Sequence, residues 1–388
     1  MQAEWTPTLC NTRMPDMRRK VTYSLAEIPT AQWNALTGGH VLLQHAFLHT
    51  LETTGCVGRE TGWMPEHLTW WDGDTLVAAL PLYRKSHSYG EFVFDWSWAR
   101  AYTEAGGVYY PKLVSALPFT PCPGARLLAR DDATRAACIR DTLAYARDVG
   151  VSSLHVLLCS ADEALAWRNA GALGRTGVQF HWTNPGVSTF DDYLATMTHD
   201  KRKRIKQERR KVQEAGVTFR VVTGERANES DWAHFYRCSA TTFGLRGQTP
   251  YLTSDFFREY ARKVPTAQVL VIGERLGRPI CAALNWRGGT TLYGRYWGAL
   301  EYVPNLHFEA CYYQALDWGI ANGITRFEGG AQGEHKLARG FLPIETHSAH
   351  WIAHPDFSDA VNRFLQRERV GVSHALTELE ASSPFKTA

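Results

Sequence analysis

Apolar positions along this chain switch between two periods. Residues 267–273 (AQVLVIG), 280–286 (ICAALNW) and 291–296 (TLYGRY) are short runs rich in β-branched or aromatic residues. Gly277-Arg278-Pro279 and Gly288-Gly289 punctuate them, which predicts strands joined by tight turns. The spacing then lengthens. Leu306, Ala310, Tyr313, Leu316 and Ile320 are separated by four, three, three and four residues, one buried face of a helix. Asn305 suits its N-cap and Asn322-Gly323 its end, after which 324–328 (ITRFE) predicts a further strand. A fainter version of the same succession occurs earlier, with strands at 76–83 and 92–98, a helix near 133–149 and a strand at 153–158. Hairpins followed by a helix and another strand define an α+β class, with mixed, mostly antiparallel sheets flanked by helices.

The two successions share residues as well as order. Gly73, Ala78, Ala79, Leu80, Tyr89 and Gly90 recur as Gly277, Ala282, Ala283, Leu284, Tyr293 and Gly294, an offset of 204 (277 − 73). Ala137, Cys138, Leu143 and Gly150 recur as Ala310, Cys311, Leu316 and Gly323, offset 173 (310 − 137). Gly171, Leu173, His181 and Trp182 recur as Gly340, Leu342, His350 and Trp351, offset 169 (340 − 171). Three blocks in register with loop-sized shifts indicate a duplicated domain. The expected organisation is an extension at 1–21, a first copy at 22–186, a second at 187–352 and a helical tail at 353–388. The difference of 31 between the first two offsets is assigned to an insert at 104–130, rich in Gly, Pro and aromatic residues.

Composition narrows the class. The 388 residues are 44% hydrophobic, enough for two cores, and the net charge of +3 carries no whole-chain nucleic-acid signal. No apolar run approaches the ~20 residues of a membrane span, and the first twenty residues lack a secretory apolar stretch, so the expected location is cytoplasmic. Eight cysteines without regular spacing predict reduced thiols, with neither a disulfide frame nor a zinc site. His347, His350 and His354 have a metal-like spacing, but His350 repeats His181 inside a strand-like stretch, and a structural role is expected.

The run Gly-Arg-Pro-Ile-Cys-Ala-Ala-Leu from Gly277, followed by an aromatic strand and a helix ending in Asn-Gly, resembles the acetyltransferase (GNAT) fold. Two such units in tandem resemble the Fem-type aminoacyltransferases of peptidoglycan cross-bridge synthesis. Three longer runs are similar to a bacterial family of Fem-like N-acyltransferases: 199–216, opening His-Asp-Lys-Arg-Lys-Arg-Ile; 306–313 (LHFEACYY); and 330–341 (GAQGEHKLARGF). The resemblance implies tandem GNAT-like domains that join an acyl or aminoacyl group to a small amine acceptor. It implies an activated donor as co-substrate and no bound cofactor or metal. Many GNAT enzymes wrap the coenzyme A pyrophosphate with an Arg/Gln-x-x-Gly-x-Gly loop before the long helix. Here 300–305 reads LEYVPN, without glycine, which favours aminoacyl-tRNA over acyl-CoA as the donor.

Duplication supplies an internal control on the site. Trp167 and Ala170 of the first copy stand where Lys336 and Arg339 stand in the second (336 − 167 = 169), so polar groups replace apolar ones in one copy only. The active site is therefore expected in the second. Gly329, Gly330 and Gly333 allow amides to turn toward an anion or an acyl carbonyl, with Gln332 and Arg339 beside them as substrate contacts. Acyl transfer to an amine needs a base and oxyanion donors. Glu328, Glu334 and His335 are the candidate bases, and Lys336 with the loop amides the candidate donors. His307 and Glu309, off the apolar stripe of the preceding helix, are further candidates for substrate contact. The plainer alternative for Glu334, Lys336 and Arg339 is a solvated helix face.

Eight of the eleven residues from 201 to 211 are Lys or Arg, and only Ile205 and Val212 supply a buried seam. Such density around one helix suits a polyanion, with Lys201, Arg202, Arg204, Lys206, Arg209 and Arg210 facing tRNA or another phosphate-bearing substrate. A solvated charged face is the alternative. A non-catalytic protein that binds tRNA or an anionic cell-wall precursor would need this helix but not residues 328–339. An acetyl-CoA enzyme, the third alternative, would bind coenzyme A saturably.

Overall fold

Residues 17–331 and 333–386 are described by a computed structural model. The first half runs β1 (Arg18–Thr22), α1 (Thr30–Leu36), α2 (His45–Thr53), β2 (Trp63–Pro65), β3 (His67–Asp72), β4 (Thr75–Leu80), β5 (Tyr83–Lys85), α3 (Trp96–Glu104), β6 (Lys112–Ser115), β7 (Leu128–Ala129), α4 (Asp132–Asp148), β8 (Ser153–Cys159), α5 (Ala161–Asn169) and β9 (Leu173–Thr183). The second opens with α6 (Phe190–Thr196), α7 (His199–Glu214), β10 (Val217–Thr223), α8 (Glu229–Gly244), α9 (Ser254–Lys263), β11 (Gln268–Arg275), β12 (Arg278–Gly288) and β13 (Thr291–Ala299). Then α10 (Leu306–Phe308) widens through a π segment (Glu309–Tyr313) into α11 (Gln314–Ala321). The chain continues through β14 (Arg326–Glu328), a 3-10 helix (Glu334–Arg339), β15 (Leu342–Ile352) and α12 (Pro355–Ala381).

The expected α+β plan is present twice. In each half an antiparallel run feeds a helical crossover that returns to a parallel neighbour: β6 beside β8 through α4, and β13 beside β14 through α10 and α11. The halves are not separate sheets. Eleven strands form one sheet ordered β10-β11-β12-β13-β14-β9-β15-β8-β6-β5-β2, and β1, β3, β4 and β7 form a second. At the centre the halves exchange their last strands: β9 lies between β14 and β15, and β15 between β8 and β9. Gly177 pairs with Thr346 there, its own copy at offset 169 (346 − 177), so a pseudo-twofold axis crosses the sheet at this pair.

The ladders also correct the alignment of the copies. Tyr293 pairs with Trp286 and Glu328, whereas Val114 pairs with Tyr83 and His155. Val114, not Tyr89, is thus the counterpart of Tyr293, at offset 179 (293 − 114). Tyr83 matches Trp286 at offset 203 (286 − 83), so 24 (203 − 179) of the 31 extra residues fall between β5 and β6, in the loop carrying α3. The segment 104–130 is not a dispensable insert, because β6 lies within it, paired on both sides. The strand expected at 92–98 is absent as well. Phe92 takes a left-handed φ of 63°, and α3 starts at Trp96.

Apolar packing locks the halves together. Phe47 of α2 meets Phe256 and Tyr260 of α9 and Trp286 of β12 edge-on, a geometry worth about 0.5–1.5 kcal/mol per pair beyond burial. The tail is a single helix, α12, pinned to both halves. Val361 and Leu365 pack with Trp98, while just beyond its end Thr198 N–H donates to Pro384 O (3.0 Å) and Lys386 N–H to Thr196 O (3.1 Å). Within the first twenty-one residues, Arg18 onward belongs to β1, whereas 1–16 lie outside the described residues. The cysteines described are free, all but Cys311 buried. Among the described residues, no helix is long and apolar enough to cross a membrane.

Candidate active site

β13 and β14 are laddered over only three pairs, Thr291↔Arg326 to Tyr293↔Glu328. Beyond them β13 runs on to Ala299 against β12, while the other chain leaves the sheet through Gly329 and Gly330. A gap therefore opens between two parallel strands, and the glycines shape it. Gly330 has a φ of +86°, and a Cβ on Gly329 would stand 3.1 Å from Lys336 Cδ, so a side chain there would push the lysine aside.

Lys336, only 2% exposed, fills the gap with its stem, and its Nζ donates to Gly330 O at 3.1 Å. Burial lowers its pKa to about 8, helped by the Arg295 guanidinium. Arg295, missed in the sequence, lies on β13 with its side chain 2% exposed. Its Nη1 donates to Gly294 O (2.7 Å), and its Nη2 meets Cys122 Sγ and lies 4.0 Å from Glu328 Oε2. Glu328 is 3% exposed. Burial raises its pKa, while Arg295 and Arg326 pull it back. Its Oε2 accepts no hydrogen bond from the described residues. The carboxylate is therefore desolvated yet partly unsatisfied, the condition of a group able to take a proton.

A relay extends from Glu328 into β9. Arg326 Nη2 donates to His181 Nδ1 (2.9 Å) and reaches Glu328 Oε1 at 3.2 Å. With Nδ1 an acceptor, His181 Nε2–H donates to Gln179 Oε1 at 3.2 Å, and Gln179 Nε2 donates to Pro121 O. Burial, then Arg326, pushes the His181 pKa down to about 3, so the imidazole is neutral. His181 was legible only as one half of a repeated His-Trp pair, and that repetition pointed to packing.

The other predicted residues separate into those at the gap and those that hold it. His335 is exposed, and its Nε2 meets Tyr312 OH at 3.1 Å; its ring lies 6.1 Å from that of His307. Burial lowers the pKa of both, His307 to about 4, so both are neutral. Glu334 is exposed, with no ion pair among the described residues, and does not join Glu328. Gly333, with a φ of +117°, starts the 3-10 helix. Gln332 lies outside the described residues.

Arg339 and Glu309 are corrections. Arg339 is turned toward α7: it donates to both oxygens of Glu208 (2.8 and 3.1 Å) and stacks 3.4 Å over Phe308. Glu309 is buried against Arg209 Nε (3.1 Å) and Gln314 (2.7 Å). Both were expected in the site because charge alone does not say which way a side chain turns. Asn305 gives no side-chain cap and sits in the left-handed region at φ 66°. The π segment after it, a feature frequent at functional sites, lets adjacent tyrosines both turn inward. Tyr312 reaches His335, and Tyr313 donates to Glu208.

The basic helix α7 is likewise divided. Ile205 and Val212 are buried as expected, and Glu208 joins them as the acceptor for Arg204 and Arg339. Arg209 is spent on Glu309 and Asp317 and stacks on Phe190, and Lys206 lies 3.9 Å from Asp191. Lys201, Arg202, Lys203, Arg210 and Lys211 have no acidic partner among the described residues.

Two hollows complete the picture. The larger, about 650 Å³, is lined by Ile28, His45, His49 and Lys263 and shares no residue with the gap. The smaller, about 300 Å³, reaches Gln179 and Ala331 and so adjoins both the relay and the glycine loop.

Repeated antiparallel strands, a helical crossover and a gap between two parallel strands define a tandem GNAT fold of the acyltransferase class. The chain belongs to the FemAB-like family, described as peptidoglycan biosynthesis/recognition, whose model matches residues 24–387. Among curated proteins none matches. Of solved structures, L-PGS from Bacillus licheniformis is similar at 12% identity, over 87% of this chain and 97% of that one, with a TM-score of 0.52. FemX is similar at 10% identity, over 86% and 98%, with a TM-score of 0.54. At such identities these likenesses concern the fold.

Proposed function

We propose that this protein is an N-acyltransferase that uses the β13–β14 gap to pass an acyl or aminoacyl group from an activated carrier to an amine. The observation that carries this reading is the desolvated Glu328 beside Arg295, with the buried Lys336 donating to Gly330 O in the glycine loop that follows it. Glu328, as carboxylate, takes the proton of the attacking amine. Lys336, as ammonium, together with the turned loop at Gly329 and Gly330, stabilises the carbonyl oxygen as negative charge develops. His335, neutral and held by Tyr312, guards the outer rim. The Gln179–His181 relay keeps Arg326 and Glu328 in place.

Aminoacyl-tRNA is the favoured donor. Pro304 before α10 lacks an N–H, and 300–305 has no glycine, so this backbone is poorly suited to cradle a pyrophosphate. The cations of α7 without acidic partners offer a track for phosphates. FemAB-like membership points to cell-wall precursors as the acceptor class. The test is product analysis by mass spectrometry with charged tRNA or acyl-CoA as donor. Product from charged tRNA that vanishes in Glu328→Gln is the expected result. Product from acyl-CoA alone would transfer the reaction to an ordinary GNAT donor, and product from neither would remove the reading.

A further inference from the structure

The smaller cavity lies on the pseudo-twofold axis. Its floor is β9 and β15 at Gly177 and Thr346, its roof is α12 at Glu368 and Val372, and its wall is the loop through Phe92 and Phe94. Arg175 closes the mouth. Its Nε and Nη2 fork onto Glu368 (2.9 and 2.8 Å), and its Nη1 donates to Phe94 O at 2.8 Å. The only cation in the lining is therefore neutralised, which disfavours an anionic occupant. At about 300 Å³ the cavity is roughly twice the ~150 Å³ that accepts benzene, room for one aryl ring and a short chain. Phe92, Phe94, Leu158 and Val372 give the cavity an apolar side opposite the uncharged Gln179, Thr346 and Ser348, and aromatic faces at the rim favour a cation over an anion.

Position gives the cavity a use. Along β9, Arg175, Gly177, Gln179 and His181 share one face of the strand. Gln179 both lines the cavity and accepts from His181, which lies 3.9 Å from Glu328. Ala331, three residues beyond Glu328, lines it too.

We propose that this cavity binds the acceptor, a primary amine carried on an apolar aryl or alkyl stem, with the stem under α12 and the amino group toward Gln179 and the glycine loop. This rests on the N-acyltransfer reading for its role but not for its binding. The test is calorimetry on the full chain with phenethylamine, 3-phenylpropionate and ethanolamine. Phenethylamine saturates, and the other two, lacking amine or stem, do not. Gly177→Val fills the floor, where the new Cβ meets only Thr346 Oγ1 at 3.1 Å. Val372→Trp fills the roof independently. Each weakens phenethylamine about tenfold to a hundredfold, as losing the burial of one aryl group implies, without lowering the unfolding midpoint. No saturable binding, equal binding of the carboxylate, or unchanged binding in both folded variants overturns the proposal. If phenethylamine behaves as expected while no donor yields product, the cavity stands and the acyltransfer reading fails. If product forms and its acceptor KM is untouched by both variants, the cavity proposal alone fails.

Discussion

His155 and Glu328 occupy the same position in the two halves, each on the parallel strand after the crossover helix and each opposite a repeated histidine. His155 faces His350 at 2.7 Å, and Glu328 faces His181 at 3.9 Å. Around His155 most of the charge is paired, although Glu91 Oε1 and Asp95 Oδ1 accept no hydrogen bond from the described residues. Lys112 donates to Asp95 (2.6 Å), Glu91 (2.9 Å) and Ser88 (2.7 Å), and Tyr109 OH donates to Asp95. The gap beyond this ladder is plugged. Arg126, with no exposed surface, donates to the carbonyls of Leu157 and Gly124, and Gly124 N–H donates to Leu158 O. In the second half the strand leaves the equivalent gap through two glycines, and Lys336 donates to Gly330 O there; a buried lysine with a lowered pKa is common to both halves, Lys85 in the first and Lys336 in the second. A shared fold can thus keep a polar centre at one position for opposite ends: plugged, it ties strands together, and opened, it offers the place where the proposed chemistry would occur.

The sharpest way to break this contrast is to mutate both counterparts. Glu328→Gln should lower kcat by about 10²–10⁴, the usual contribution of a general base, with little change in the unfolding midpoint. His155→Gln should do the reverse. It leaves Asp95 and His350 short of partners and costs about 2 kcal/mol of stability, while kcat per folded molecule is retained. Equal kinetic losses in the two variants would erase the distinction between the centres.

Lys336 comes next. Lys336→Met keeps the stem in the gap but removes the charge, and should reduce kcat by about 10²–10³. The pH profile adds a signature that mere packing cannot mimic. Glu328 acts deprotonated, and its pKa is raised by burial, so the rate climbs with pH above the usual carboxylate range. Lys336 acts protonated, with its pKa lowered to about 8, so the rate falls as pH rises through that value. In Lys336→Met the alkaline fall should disappear while the acid rise stays. A surviving alkaline limb would assign that titration to another group.

A structural counterweight is Arg339, which the sequence placed with Lys336. Truncating one partner of a buried charge pair costs about 3–5 kcal/mol. Arg339→Leu should therefore be among the most destabilising of these changes, and the double variant with Glu208→Leu should recover part of the loss. Turnover per folded molecule should survive, because the guanidinium faces α7 and Phe308, not the gap.

The fold was largely legible because it rests on local signals: the β-branched runs of β11 and β12, the stripe of α11, the Gly323 stop. The strand exchange was not. β9 and β15 pair with each other across 169 residues, and no periodicity within either reveals its partner. The Tyr89-Gly90 match misled because two identical residues in a loop outweighed the short β6, whose counterpart role appears only through its ladder. Glu328 and Lys336, to which the proposed chemistry is assigned, stood out through the asymmetry between copies. Arg295 and His181 were missed for the complementary reason. Arg295 sat inside a run read as a plain strand, and His181 was matched in the other copy and assigned to packing. Arg339, Glu309 and Arg209 show the remaining limit: side-chain direction is decided by tertiary partners that spacing does not contain.

Within α7 the same contrast recurs on a smaller scale. Arg209 and Arg204 are spent on Glu309 and Glu208, while Lys203, Arg210 and Lys211 point outward with no acidic partner among the described residues. Replacing those three with alanine removes no internal ion pair, so stability should stay within about 0.5 kcal/mol for each. If they track a tRNA backbone, charged-tRNA binding should weaken at low salt, and the log–log salt slope should fall by about 0.7–0.9 for each phosphate left without its cation. Arg209→Ala should instead lower the unfolding midpoint slightly and leave the slope alone. The slope separates the two classes because counterion release counts only charges that meet phosphate, whereas a cation already paired inside the protein has no counterion to release. An unchanged slope in the triple variant would make α7 a solvated face after all and leave donor choice to the gap itself.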